Sequence, residues 1–204
     1  HHIIMDGWCQ SILMKELSVI YGALKNKEAI PLAPALPFSH YINWLKLKNK
    51  NNKETVNHWK NYLEGYTTDA RIPSQPAVAE EVVLNDQMKA HLVLSRAITK
   101  KIEILAKKKK LTVNAVFQTI WGILLARYSF SKDVVFGKVV SGRPAELEGV
   151  TDMMGLFINT IPQRIQFSED TTFTELAEQV HQESIESLPH HYASLAEIKA
   201  GSRI

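Results

Sequence analysis

His1-His2-Ile3-Ile4-Met5-Asp6-Gly7 opens the chain: a histidine pair followed, at fixed spacing, by an aspartate and a glycine. In an extended segment side chains alternate, so His2, Ile4 and Asp6 share one face while His1, Ile3 and Met5 share the other. If Gly7 breaks the strand into a turn, the missing Cβ lets a ligand approach the backbone there. One histidine is then expected to face a cleft, and the other helps to build the strand. Neutral imidazole suits proton transfer near neutral pH. Two adjacent histidines on a strand cannot converge on one ion, and no Cys/His cluster at ligand spacing follows, so no metal site is expected. The motif stands at residue 1 with no methionine before it, as expected of a fragment.

Composition bounds the rest. The 204 residues, 45% of them hydrophobic, are enough for one large domain or two small lobes with a real core. A lone cysteine, Cys9, excludes an internal disulfide framework and fits a reducing, cytoplasmic compartment. No apolar run approaches the roughly 18 residues of a membrane span, and no secretory core appears. The net charge of +3 is mild. Lys107 to Lys110 form one dense basic run on a helical pattern, read as a solvated face, with an acidic partner as the lesser reading. Without a basic stripe interleaved with aromatics, nucleic acid is not expected.

Helical and strand patterns alternate along the chain. Ile12, Leu13, Leu17, Ile20, Tyr21 and Leu24 recur at helical spacing, predicting an amphipathic helix over Ser11–Asn26. Three prolines in 31–37 mark a crossing segment, and Val56, Trp59 and Leu63 predict a short helix over Thr55–Leu63. Arg71 to Glu81 is rich in Pro, Ala and Glu without periodicity. It is taken as the linker between residues 1–70, which carry the histidine motif, and a second lobe over 82–204. Ala90–Leu94 is expected as a strand, and Ser95 as the N-cap of a helix through Lys109. Val113–Tyr128, after Thr112, is apolar on most sides and expected to be a buried helix. Strands are predicted over Asp133–Val140 and Thr160–Phe167, with Pro162 marking an edge or irregular start. Thr172 and Glu175 form a capping box opening a helix to about Ser187, which Pro189 stops. The alternation implies α/β or α+β.

Five segments then fall into one order. After His1–Gly7 come Tyr41-Ile42-Asn43-Trp44; Ser141-Gly142-Arg143-Pro144; Met154 through Thr160; and His190-His191-Tyr192-Ala193-Ser194-Leu195-Ala196-Glu197-Ile198. Together they resemble the condensation domains of nonribosomal peptide synthetases, whose signature is HHxxxDG, and the resemblance covers all 204 residues. It implies an α/β (α+β sandwich) fold of two lobes, similar to chloramphenicol acetyltransferase, with the motif in the tunnel between them. Against that pattern both the first and the second lobe are expected to be incomplete, which would make the fragment inactive alone and leave apolar surface uncovered. The arginine that pairs with the motif aspartate is expected upstream of residue 1.

The implied activity is amide-bond formation. A donor aminoacyl or peptidyl thioester on one phosphopantetheine arm is attacked by the α-amine of an acceptor aminoacyl thioester on another. The implied partners are upstream and downstream peptidyl carrier proteins and adjacent adenylation domains; no cofactor binds the domain directly. The resemblance casts His2 in the chemical role, as general base or as a positioning group, with His1 and Asp6 in support. Gly7, Asn159 and Ser141 are assigned to the substrate channel, Asn159 having strand-end capping as its alternative. Ser141 and Arg143 otherwise read as turn residues closing the strand at Val140, and Trp8 and Trp44 as core. The competing readings are an epimerisation domain of the same fold, and an incompetent fragment serving as a carrier-docking surface.

Overall fold

The computed structural model describes residues 2–68, 70–72 and 91–202. Its elements in chain order are α1 (Gly7–Asn26), α2 (Ser39–Lys50), α3 (Lys53–Tyr62), α4 (Arg96–Lys108), α5 (Val113–Tyr128), β1 (Asp133–Val140), β2 (Asn159–Gln166), α6 (Phe173–Glu186) and α7 (Leu195–Ser202). Single 3₁₀ turns at Val150–Asp152 and Leu188–His190 complete them.

The helix starts follow from side-chain caps. Asp6, Ser95, Thr112 and Thr172 each accept a backbone N–H of the first turn, and Glu175 closes the box by accepting Thr172 N–H at 2.9 Å. α2 has no such signal: Phe38 stands at its N-cap without a side-chain bond. Neither α2 nor α7 is anticipated by periodicity.

β1 and β2 pair into a two-stranded sheet. Phe167 N–H donates to Lys132 O beyond one end, and Gly137 lies against Thr160 towards the other, so the strands run antiparallel. The chain divides into two compact units, and the division falls inside both strands. The first unit comprises His1–Glu64, Gly137–Pro162 and Pro189–Ile204; the second comprises Gly65–Phe136 and Gln163–Leu188. Of the expected linker over 71–81, residues 73–81 lie outside the described residues.

In the second unit, Ala115, Leu125 and Ala126 of α5, Val134 of β1, Ile165 of β2, and Leu176 and Val180 of α6 form the core. In the first, Tyr41, Val150, Met153 and Phe157 do so, flanked by Phe38, Trp44 and Leu147.

Four expectations change here. Residues 91–95 form no strand with any described residue, and Leu92 and Val93 are about nine-tenths exposed (88% and 91%); Ala90 lies outside the described residues. α5 is not buried all round: small residues face the core, while Phe117, Ile120, Trp121 and Leu124 are each more than 40% exposed. α1 buries Cys9, Ile12 and Ala23 but leaves Leu13, Leu17, Tyr21 and Leu24 uncovered by the described residues. Trp8 is not core, and Trp44 packs at the edge of the core rather than within it. Trp8 is half exposed with its indole N–H on Thr151 O, and the half-buried Trp44 donates to Glu146 Oε1, because each ring's polar edge needs an acceptor. Among the described residues, no helix is long and apolar enough to cross a membrane.

Candidate functional site

The histidine motif is not a strand. Residues 2–4 form a turn, residues 5 and 6 lead out of it, and Gly7 begins α1. The N-cap requirement of a 20-residue helix overrides the alternation read from the sequence. Asp6 has extended dihedrals (φ −112°, ψ −178°), and its Oδ1 accepts Trp8 N–H at 3.1 Å. A carboxylate at this position also faces the positive end of the helix.

Asp6 is buried and linked to a distant segment. Its Oδ2 accepts Phe157 N–H at 3.0 Å, and Cys9 Sγ lies 3.4 Å from Oδ1. Arg143 Nη2 stands 3.6 Å from Oδ1, with both side chains nearly sealed from solvent. Burial by itself would raise the Asp6 pKa. The Phe157 N–H, the Cys9 thiol and the Arg143 charge outweigh it and hold the carboxyl below its ordinary value.

Arg143 does more than neutralise Asp6. Its Nη1 donates to the carbonyls of Val150 and of Met153, the latter at 2.9 Å, which clasps the intervening loop. Its guanidinium lies over the Phe157 ring, 3.9 Å from the centroid. Two glycines make this approach possible. Gly142 has φ 62°, and a Cβ there would collide with Phe157 O; a Cβ on Gly155 would enter the Phe38 ring. Cys9 Sγ completes the knot, accepting Gly155 N–H at 3.4 Å and lying 3.2 Å from Gly155 O. The partner expected upstream of residue 1 is thus supplied by Arg143, which the sequence reading assigned to a turn. The Gly-Arg step within Ser141–Pro144 is the signal that could have identified it.

His2 is exposed on the turn that precedes this knot, and His1 lies outside the described residues. Gly7 is exposed, and a Cβ added to it meets nothing within 4 Å among the described residues. Ser141 is exposed at the end of β1. Asn159 is half-buried; its Nδ2 donates to His191 O at 2.8 Å and Ala193 O at 2.7 Å, which occupies both amide hydrogens. Its Oδ1 accepts Thr160 N–H at 2.9 Å.

The loop pinned by Asn159 carries a second polar cluster. Thr55 Oγ1 lies 2.8 Å from His190 Nδ1 and 2.9 Å from Tyr192 Oη. His58 stacks on His190 at 4.1 Å, and Trp59 Nε1–H donates to His190 O at 3.3 Å. Burial, then Lys138, His190 and His58, lower the His191 pKa to about 4. Burial also lowers His190, against the opposing charge of Glu54. Among the described residues no group of three or more His, Cys, Asp or Glu is placed to hold a metal.

Comparison with known proteins agrees with the ordered motifs. The Condensation domain family model matches residues 1–204. Tyrocidine synthase 2 of Brevibacillus parabrevis is 42% identical over 202 residues, covering 99% of this chain and 6% of the synthase. Bacitracin synthase 3 of Bacillus licheniformis is 42% identical over 204 residues, covering 100% of this chain and 3% of that protein. The chain thus spans a small part of the length of these relatives.

Among solved structures, the first condensation domain of the calcium-dependent antibiotic synthetase, crystallised with a substrate analogue, superposes with a TM-score of 0.76 at 17% identity. It covers 98% of this chain and 46% of that one. The X-domain from teicoplanin biosynthesis gives a TM-score of 0.76 at 22% identity, over 100% and 46% of the two chains. These likenesses bear out the expected fold class, and the chain belongs to the condensation-domain family.

Proposed function

We propose that the chain forms amide bonds in nonribosomal peptide synthesis, passing a donor acyl group from one carrier-bound phosphopantetheine thioester to the α-amine of another. The observation that carries this reading is the buried Asp6–Arg143–Phe157 knot, which fixes the turn bearing an exposed His2. A site of this kind needs one imidazole free to meet substrate and a rigid base beneath it. Here the aspartate serves the base: its oxygens are committed to protein donors, so it orients the turn and stays off the substrate.

The chemistry asks little more. An α-amine has a pKa of about 7.7–8.0 and is already partly neutral near pH 7, while a thiol of pKa about 8.5 is a fair leaving group. Holding amine and thioester in attack geometry is worth roughly 7–11 kcal/mol. His2 accepts the ammonium proton as the C–N bond forms, or hydrogen-bonds the amine and the tetrahedral intermediate. The C–S bond then breaks, and the thiolate leaves on its arm. Peptidyl carriers on both sides, and the adenylation domains that load them, are the partners.

In the synthetase that bears the chain, His2→Ala should leave both carriers loadable and lower transfer on the order of 10²–10⁴-fold if proton transfer is the role. Wild-type product yield from that variant would overturn the assignment.

A further inference from the structure

α4 and the residues just after it hold an unusual share of the charge. Residues 96–110 carry seven cations (Arg96, Lys100, Lys101 and Lys107–Lys110) against one carboxylate, Glu103, for a net +6. The whole chain is +3, so the remaining residues sum to −3. The cations are not spread around the helix. Lys100, Lys101, Ile104, Lys107 and Lys108 follow the i, i+1, i+4, i+7, i+8 spacing of one face, and all five are exposed. The opposite side, Ile102, Leu105 and Ala106, is half-buried or buried, and α4 packs on α5.

Helix stability does not account for this pattern. Lys107 and Lys108 sit in the last turn, where the macrodipole favours cations. Arg96 lies in the first turn, which has no acidic residue, and Lys100 and Lys101 follow one turn later. At Arg96 the dipole opposes positive charge, at Lys100 and Lys101 it gives no support, and like-charged neighbours repel. Lys109 pairs with Glu178 at 3.6 Å, but Lys100, Lys101, Lys107 and Lys108 make no ion pair among the described residues. Ile104, 56% exposed, stands in their midst. A membrane surface fits less well, because a helix lying on lipid needs a free apolar side, and Ile102, Leu105 and Ala106 of α4 are half-buried or buried. The outward face also lacks the aromatic residues on which bases stack.

We propose that the outward face of α4 docks an acidic surface of a carrier domain, whose carboxylates meet the four lysines while an apolar side chain meets Ile104. This rests on the condensation reading for the identity of the partner. The test reverses four charges together, K100E/K101E/K107E/K108E, in the synthetase that bears the chain. The donor and the acceptor are each supplied either on a loaded carrier domain or as a small thioester without carrier protein. For one carrier the KM should rise about tenfold or more at low salt, and the gap to wild type should close as salt is raised.

Turnover of the carrier-free thioesters should stay at the wild-type level, which also shows that the variant folds. The corresponding Lys→Gln variant should lie between the two. Unchanged KM for both carriers would overturn the proposal. So would an equal loss with carrier-free thioesters, or a reversal whose one effect is to abolish sedimentation with anionic phosphatidylserine vesicles. If wild type transfers from neither donor form, the condensation reading fails; the docking face is then judged by titrating fluorescently labelled carrier domain, with equal affinity for wild type and variant refuting it.

Discussion

Replacing Arg143 with methionine removes the cation from the knot while roughly keeping the volume of its stem. Three losses follow. Asp6, 2% exposed, remains buried without its countercharge. The carbonyls of Val150 and Met153 lose their shared donor. Phe157 loses the cation over its ring. Breaking a buried ion pair from one side costs about 3–5 kcal/mol, and orphaning the buried Met153 carbonyl about 1–3 kcal/mol, while Val150 O keeps the Met153 N–H. Relaxation and water entry recover part of that, so Arg143→Met should destabilise by at least about 3 kcal/mol, a large share of the 5–15 kcal/mol typical of a domain.

Urea unfolding followed by tryptophan fluorescence measures the loss, and Trp8, whose ring lies 5.5 Å from the guanidinium, reports the site directly. The variant should also lose the part of the Asp6 pKa depression that the Arg143 charge supplies, while the Phe157 N–H and the Cys9 thiol keep theirs. In the wild type that contribution is complete above the ordinary value of 3.8 and is lost as pH falls through the lower folded value. Asp6→Asn in the Arg143→Met background should cost less than in the wild type, with a coupling energy of about 1 kcal/mol or more. A loss below about 1 kcal/mol for Arg143→Met, or strict additivity in the cycle, would refute the reasoning.

Acidification should weaken the fold through His191, whose folded pKa of about 4 lies below its ordinary 6.5. The unfolded chain binds the extra proton, so stability falls as pH drops from 6.5 towards 4, by up to about 3 kcal/mol. His191→Asn should flatten that window in pH-dependent urea melts, and an unchanged slope would remove His191 from the account. Gly142→Ala should cost about 2 kcal/mol or more, from the positive φ and the collision with Phe157 O. A melting temperature within a degree of wild type would show that the turn yields. Thr172→Ala should cost about 1 kcal/mol by opening the capping box of α6; no change in urea midpoint would mean that the cap is dispensable.

Local signals were the legible ones. Thr112, Ser95 and the Thr172–Glu175 box locate three helix starts because capping is decided within four residues, and the β-branched run Asp133–Val140 shows the whole of β1. α2 escaped because Phe38 caps nothing, and the opening motif was misread because alternation in seven residues cannot compete with an aspartate positioned to cap a helix. The partnership of Asp6 with Arg143 was out of reach for a different reason. The two are 137 positions apart, and only the closed chain shows that a residue placed like a turn former reaches back to the motif. The same holds for Asn159, whose carbonyl partners His191 and Ala193 lie 32 and 34 positions further along the chain.

The first unit is assembled from three separate stretches of chain, and the knot draws on two of them. Inheritance follows from that. The compositional seam at 71–81 looks like the natural place to join halves of two related synthetases, yet it runs between Asp6 and Arg143. A hybrid joined there takes the carboxylate, the helix it caps and the Cys9 thiol from one parent. It takes the guanidinium, both clasped carbonyls and the Phe157 amide from the other. Such a recombinant keeps its histidine turn in place only when the parents agree at both ends of the pair, whatever residues join them at the splice.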